Sequence, residues 1–345
     1  GYVTVAAAIP RVKVAETEYN AGEIFAMISD AEDKGVEIIV FPELCITGYT
    51  CQDLFRSDVL LSKSEEALIS LLSSTRKMDI ISIVGMPVAV DGMLLNCAVV
   101  LHKGCIIGIV PKTYLPNYSE FYEKRWFASA QDLSDDRQLY IAGSPAVVSS
   151  RPKVFTTIDG VKFGIEICED VWAPVPPSNN LALAGADIVF NLSASDELIG
   201  KHAYLRRMVE AQSGRLVCAY VYASAGFGES STDLVFAGKG MIAENGSIIA
   251  ESERVKLEPS LKIADVDIEK LMVLRRTQTT FTQMIQQPDE TTFYSEFRRI
   301  MEPTQNGYAT IGLTKLTTPD FEKKLYRTVV PTPFVPAEGD DMEAR

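Results

Sequence analysis

The chain has 345 residues and a formal charge of −13, with 47% hydrophobic and 23% charged residues, a balance that suits a packed globular protein and excludes a disordered one. Its Lys and Arg residues are scattered, which excludes a nucleic-acid binder that works by neutralising phosphates, and no run of about 18 uncharged apolar residues is available to span a bilayer. The six cysteines (Cys45, Cys51, Cys97, Cys105, Cys168, Cys218) follow no signal peptide and show no disulfide framework, so a reducing, cytoplasmic setting is expected.

The chain opens at Gly1 without a methionine, which leads to the expectation of a processed or truncated start. A β-type run, "YVTVAAAIP", comes first. Residues 17–34 follow with Ile24, Phe25 and Ile28 on one helical face, then "VEIIVFPEL", whose residues 37–41 are apolar on both faces past Glu37. A second helical pattern covers 63–77 with Leu68, Leu71 and Leu72. The runs "DIISIVGMPVAV" and "LNCAVVLHKGCIIGIVPK" come next, then "KVFTTIDGVKFGIEIC" and "ADIVFNLS", a third helix over 200–213 with Tyr204, Leu205 and Met208, and finally "RLVCAYVYAS" and "GKGMIAENGSIIAES". Lys103-Gly104, Asp159-Gly160 and Asn245-Gly246 each sit between two strand patterns, the strongest short signal for a hairpin. Helices alternate with strands that are covered on both faces, so the expected α/β fold has two mixed sheets face to face with helices outside. From about Leu271 the composition changes to a Thr- and Gln-rich arm, and prolines at 331, 333 and 336 precede an acidic tail that reads as a linker.

The chemistry gathers around "VKFGIEICEDVWAP". A thiol reacts as its thiolate, and Glu166, Glu169 and Asp170 around Cys168 raise the cost of forming one, so Cys168 is either an inert buried residue or is activated by another group. Only two histidines exist. His102, beside a hairpin turn, reads as an exposed edge residue, and His202, on a helix, as a surface or packing residue, which disfavours a Cys-His dyad. No cysteine or histidine pair has zinc-ligand spacing. Glu43 and Lys112, however, each close an apolar strand pattern, as Cys168 does, and the ends of strands are where α/β sheets bind ligands.

Four blocks in order, "VFPELCITGYTCQDLF", "GIVPKTYLPNYSEFYEKRWF", "GVKFGIEICEDVW" and "ADIVFNLSASDELIGKHAYLRRM", resemble the carbon-nitrogen hydrolase (nitrilase) superfamily, and within it the glutaminase domain of glutamine-dependent NAD synthetases. The likeness runs from about residue 2 to residue 268. It implies a nitrilase-like four-layer αββα sandwich over 1–268, with 269–345 as an arm and linker toward an ATP-dependent synthetase domain. It also implies a catalytic triad of Glu43, Lys112 and Cys168, with Glu43 as the base and with Lys112 and the backbone N–H of Glu169 as oxyanion donors. Glu123 matches a second glutamate that holds the lysine and positions substrate. Tyr118, Ser195 and Lys201 match positions that contact the amino acid end of L-glutamine, and Trp172 is placed as a pocket wall. The Ser-Gly-Gly-x-Asp-Ser loop of the synthetase domain does not occur in the sequence, so no cofactor is expected here, and ATP and Mg belong to that other domain. The resemblance thus implies a cytoplasmic glutaminase, expected to be a homo-oligomer, that passes ammonia on for amidation of deamido-NAD. Two other readings stay open: a free-standing amidase acting on another small amide, and a catalytically silent scaffold assembling through the arm.

Overall fold

The computed structural model describes residues 1–157, 159–286 and 325–329. The chain begins with β1 (Tyr2–Ile9), α1 (Thr17–Asp33), β2 (Ile38–Val40), α2 (Asp58–Ser74), β3 (Ile81–Val90), β4 (Met93–His102), β5 (Cys105–Pro111), β6 (Arg137–Ile141) and β7 (Ser144–Val148). Then come β8 (Val154–Thr156), β9 (Lys162–Ile167), α3 (Pro177–Leu183), β10 (Ile188–Ser193), α4 (Lys201–Leu216), β11 (Ala219–Ser224), β12 (Gly240–Glu244) and β13 (Ser247–Glu251). The chain returns through β14 (Ser260–Asp267), and α5 (Ile268–Thr277) and α6 (Thr279–Gln286) follow it. One sheet has the order β14-β1-β2-β3-β4-β5-β7-β6 and the other β13-β12-β11-β10-β9-β8.

Period-2 alternation sorts the side chains into layers. In β1, Val3, Val5 and Ala7 enter the core between the sheets, while Ala6 and Ala8 face α1 and α2. In β11, Ala219, Val221 and Ala223 take the inner face, and Tyr220 and Tyr222 turn out toward α4. The helices meet these outer faces with stripes at helical spacing: Ala21, Ile24, Ile28 and Ala31 in α1, and Leu205, Val209 and Leu216 in α4. The result is the four-layer αββα sandwich that the resemblance implied. Both sheets are mixed, because β1-β2-β3 and β9-β10-β11 pair in parallel while the hairpins pair antiparallel.

Strand direction follows from the pairing. β3 is parallel to β2, β4 is antiparallel to β3, and β5 is antiparallel to β4, so β2 and β5 end at the same edge of their sheet. That edge carries Glu43 just beyond β2 and Lys112 just beyond β5. Cys168, just beyond β9, comes from the opposing sheet.

The three expected hairpins form, at β4–β5, β8–β9 and β12–β13. Two more were not read from the sequence: β3–β4 turns at Asp91-Gly92 and β6–β7 at Ala142-Gly143, each with two successive positive φ values. His102 corrects an expectation. It is buried, because β4 lies between β3 and β5 inside the sheet and the end of α2 covers the turn, where a side chain on Gly104 would run into Leu72 and Arg76. The second helix begins at Asp58, earlier than the pattern suggested, and Tyr204 of α4 is exposed, stacked at a tilt on Trp172 with ring centroids 5.6 Å apart. The segment read as the start of an arm packs its first part onto the sandwich: Leu271 and Phe281 join the inter-sheet core. The prolines at 331, 333 and 336 and the acidic tail lie outside the described residues. No helix among the described residues is long and apolar enough to cross a membrane.

Candidate active site

Each of the three strand ends delivers its side chain by a local departure from the strand. After β2, Pro42 precedes Glu43, whose backbone N–H donates to the Ser193 carbonyl at 3.2 Å and so ties the first sheet to the end of β10. Gly85 in β3 makes this approach possible: a Cβ there would lie 2.3 Å from Leu44 N and 2.9 Å from Glu43 C. Lys112 is tied back by its own N–H to the Asn96 carbonyl at 2.8 Å. β9 stops at Ile167, and Cys168 opens a 3₁₀ turn (Cys168–Trp172) with φ of 45°, a left-handed conformation that non-glycine residues seldom adopt. The thiol therefore leaves the strand's alternation and stands on the inner side of its sheet.

The Lys112 ammonium donates to Glu43 Oε1 at 2.6 Å and to Glu123 Oε1 at 2.7 Å. Asn96 Nδ2 donates to the same oxygen of Glu43 at 2.6 Å, and the Tyr49 hydroxyl donates to Glu123 Oε1 at 2.8 Å. Glu43, Lys112 and Glu123 are each at most 1% exposed and Cys168 is 5% exposed, so bulk water does not screen this cluster. Glu43 Oε2 and Glu123 Oε2 are buried without a hydrogen-bond partner among the described residues. A buried ion cluster of this kind is a poor device for stability and a common one for chemistry.

Burial pushes the Cys168 thiol well above its ordinary value; Glu43 adds to that rise, Lys112 opposes it, and Glu123 adds again. These three are the charges that act most strongly on the thiol. Burial pulls the Lys112 ammonium down, but Glu123 and Glu43 outweigh it and hold it well above the ordinary lysine range. Burial also raises Glu123 to about 7, against the pull of Lys112. The resting site thus holds a neutral thiol, a firmly charged ammonium and a carboxylate with a vacant oxygen. That combination can move one proton from sulfur to carboxylate when an electrophile arrives.

The acids around Cys168 that posed the sequence problem are each engaged elsewhere. Glu166 points outward, accepting from Ser178 N at 2.8 Å and from the Tyr220 hydroxyl. Glu169 accepts from the Tyr118 hydroxyl at 2.9 Å, at the mouth of the site. Asp170 accepts from the backbone N–H groups of Ile167, Thr113 and Tyr114. Burial raises its carboxyl, and the Ile167 and Tyr114 amides, which donate to its ionised form, work against that rise. The N–H of Cys168 itself is taken by Asn191 Oδ1 at 3.2 Å.

The residues expected to bind substrate fall into two groups. Tyr118, Glu169, Trp172 and Lys201 share one mouth: the Lys201 ammonium lies 5.6 Å from the Trp172 ring centroid and 5.9 Å from that of Phe121. Lys201 also ion-pairs with buried Asp196. Ser195 is buried in the loop after β10, beside Ala194, whose backbone hydrogen bond favours the charged form of Cys168. A cavity of about 790 Å³ lined by Tyr114, Lys124, Gln131, Glu169 and Trp172 opens next to this mouth. Sequence reasoning missed Tyr49, Asn96, Asn191 and Asp196. Asn191 and Asp196 stood inside "NLSASD", but their partners, Cys168 N and Lys201, are set by the fold. Among the described residues no group of three or more His, Cys, Asp and Glu side chains is arranged to hold a metal ion.

Residues 4–276 match the family described as carbon-nitrogen hydrolase. The chain belongs to the carbon-nitrogen hydrolase family. It is 37% identical over 345 residues, 99% of its own length and 48% of the relative's, to the glutamine-dependent NAD(+) synthetase of Mycobacterium tuberculosis (strain ATCC 25618 / H37Rv). It is 30% identical over 280 residues, covering 79% of this chain and 38% of the relative, to that of Rattus norvegicus. This hydrolase therefore spans about half the length, or less, of the curated relatives it matches. Among solved structures, the glutamine-dependent NAD(+) synthetase of Cytophaga hutchinsonii superposes with a TM-score of 0.68 at 28% identity, over 77% of this chain and 43% of that one. An amidase from Nesterenkonia sp. AN1, described as carrying the acetamide moiety of fluoroacetamide on its active-site cysteine, superposes with a TM-score of 0.63 at 17% identity, over 81% of this chain and 95% of that one. This last likeness is one of fold.

Proposed function

We propose that this carbon-nitrogen hydrolase is a glutaminase whose nucleophile is Cys168, base Glu43 and oxyanion donor Lys112. The observation that carries the reading is the Lys112 ammonium bridging Glu43 at 2.6 Å and Glu123 at 2.7 Å in a buried cluster that acts on the Cys168 thiol. The sulfur attacks the side-chain amide carbon of L-glutamine as its proton passes to Glu43. The oxyanion that forms accepts from the Lys112 ammonium and the Glu169 N–H, and losing one such donor costs about 10²- to 10³-fold in rate. The C–N bond then breaks and ammonia leaves with the proton held on Glu43, which yields a thioester. Water, deprotonated by Glu43, attacks that thioester, the C–S bond breaks, and Glu43 returns the proton to the departing sulfur, which releases glutamate and regenerates the Cys168 thiol.

The amino acid end of glutamine carries an ammonium and a carboxylate, and the mouth offers both signs. Tyr118, Ser195 and Lys201 would meet it, with Glu169 and Trp172 forming the wall. The ammonia would serve an ATP-dependent synthetase activity that amidates deamido-NAD. ATP and Mg belong to that activity, and its pyrophosphate loop is absent from these 345 residues.

The rival is a general amidase acting on another small amide, the alternative that the sequence left open. Steady-state kinetics on glutamine and butyramide separate the two. A polar site rejects an analogue that leaves its buried groups unpaired by a large factor, about 10⁴-fold at the upper end, so butyramide should be a poor substrate. Equal kcat/KM for both would remove the glutaminase reading and leave the amidase.

A further inference from the structure

The reaction above needs sulfur, ammonium and base in register, yet Cys168 and Lys112 come from different sheets. β5 belongs to the eight-stranded sheet and β9 to the six-stranded one, and the two have no backbone ladder in common. One side chain joins their ends. Asp170 Oδ2 accepts from Ile167 N at 2.9 Å, the residue just before the nucleophile. Its Oδ1 accepts from Thr113 N at 3.1 Å and Tyr114 N at 2.8 Å, the two residues just after the lysine. Asp170 is 1% exposed, so no water competes for these donors.

We infer that Asp170 is a positioning residue, a carboxylate clamp that sets the Cys168 turn against the Lys112 end of β5 and so fixes the sulfur relative to the ammonium. The inference rests on the proposed roles of Cys168 and Lys112. Its physical basis is the number of acceptors. Both carboxylate oxygens are used: Oδ1 accepts from the loop after the lysine, while Oδ2 accepts from Ile167 N and, at 3.4 Å, shares the Thr113 N–H, and no other side chain accepts from the same loop pair among the described residues. The strain at Cys168, φ 45°, has to be held by surrounding bonds, and the Ile167 amide is one of the two flanking amides that hold it, Cys168 N on Asn191 being the other. An asparagine would fill the same volume but offer one oxygen; its Nδ2 would face a backbone N–H and push one loop away. A shift of about 1 Å between reacting groups costs about 10²-fold.

The test compares wild type with Asp170→Asn in two assays. Iodoacetamide, which needs no glutamine recognition, is followed by mass spectrometry at each cysteine. Glutamine turnover is then split into kcat and KM. The clamp predicts Cys168 labelling and kcat lowered about 10²-fold, KM nearly unchanged, and labelling of exposed Cys105 unaltered. General loosening would do the opposite, speeding the labelling of buried Cys45, Cys97 and Cys218. Wild-type labelling of Cys168 in the variant, or accelerated labelling of the buried cysteines without loss at Cys168, overturns the inference alone. No labelling of Cys168 in the wild type removes the nucleophile assignment and the inference with it. Where Asp170→Asn does not fold, Asp170→Glu decides: it keeps both oxygens and moves them by one methylene, and a wild-type labelling rate, or failure of both variants to fold, assigns Asp170 to the fold only.

Discussion

At the scale of single residues, the proposed site withholds charge until it is needed. The Cys168 thiol is held neutral by burial and by Glu43, and in the proposed reaction the Glu43 oxygen that has no partner among the described residues receives its proton. Cys168→Ala should abolish ammonia release while thermal unfolding stays cooperative, because alanine suits a site that held a small side chain; substantial residual glutaminase activity would take Cys168 out of the reaction. Glu43→Gln should bind glutamine and lose about 10²- to 10⁴-fold in rate, the usual span for removal of a general base. Glu123 makes a prediction in pH. Its carboxyl is raised from 4.5 to about 7, so the folded state binds a proton more tightly than the unfolded chain does. The stability it contributes is complete at low pH and is lost as pH rises through about 7. Relative to Glu123→Gln, the wild type should therefore lose thermal stability between pH 4.5 and about pH 7 and change little above that, and a gap that stays constant over that span would contradict the assignment.

At the scale of elements, precision comes from close backbone approach. β3 passes so near the segment after β2 that Gly85 has no room for a methyl group, and the contact is with backbone atoms of residues 42–44 rather than with a flexible side chain. Gly85→Ala should cost about 1–3 kcal/mol in unfolding free energy, the range for overpacking a filled core. It should also reduce activity, although residue 85 touches no reacting atom, because the displaced segment carries Glu43. Chemical denaturation and ammonia release measured on the same preparation test both halves, and activity at the wild-type level would show that the segment yields without moving Glu43. At the other loop, Lys201 is paired with Asp196 and lies over Trp172. Since the α-carboxylate of glutamine bears the same charge in ground and transition states, Lys201→Ala should raise KM more than it lowers kcat.

At the scale of the whole molecule, two sheets converge on one cluster. α5 and α6 extend the sandwich's apolar packing past residue 268, where the sequence suggested the sandwich would end. The boundary at 268 is best tested by truncation there, which should expose the inter-sheet surface under Leu271 and Phe281 and lower the thermal midpoint. Amidation of deamido-NAD is a different matter, since the pyrophosphate loop is not in the sequence. The chain with ATP, Mg and deamido-NAD should form no NAD, whether glutamine or ammonia is supplied. NAD formation under those conditions would place the ligase chemistry within these residues.

The sequence by itself determined the architecture and pointed to the residues proposed for the chemistry. Period-2 runs, three Gly turns and helical stripes are local signals, and each is read from neighbours along the chain. Glu43, Lys112 and Cys168 were legible because each closes an apolar strand pattern and because the four blocks around them resemble one family. Only the tertiary structure decided what those residues meet. His102 looked like an edge residue, but strand order placed it between two neighbours. Asn96, Tyr49 and Asn191 have no motif to mark them, since their roles consist of bonds to atoms 23 to 74 residues away. Asp170 was visible as one of three acids beside a thiol, and its charge argued against reactivity. Whether that carboxylate faces the sulfur or the backbone of another sheet depends on where β9 stops and how the two sheets are juxtaposed, and such long-range geometry leaves no trace in local spacing.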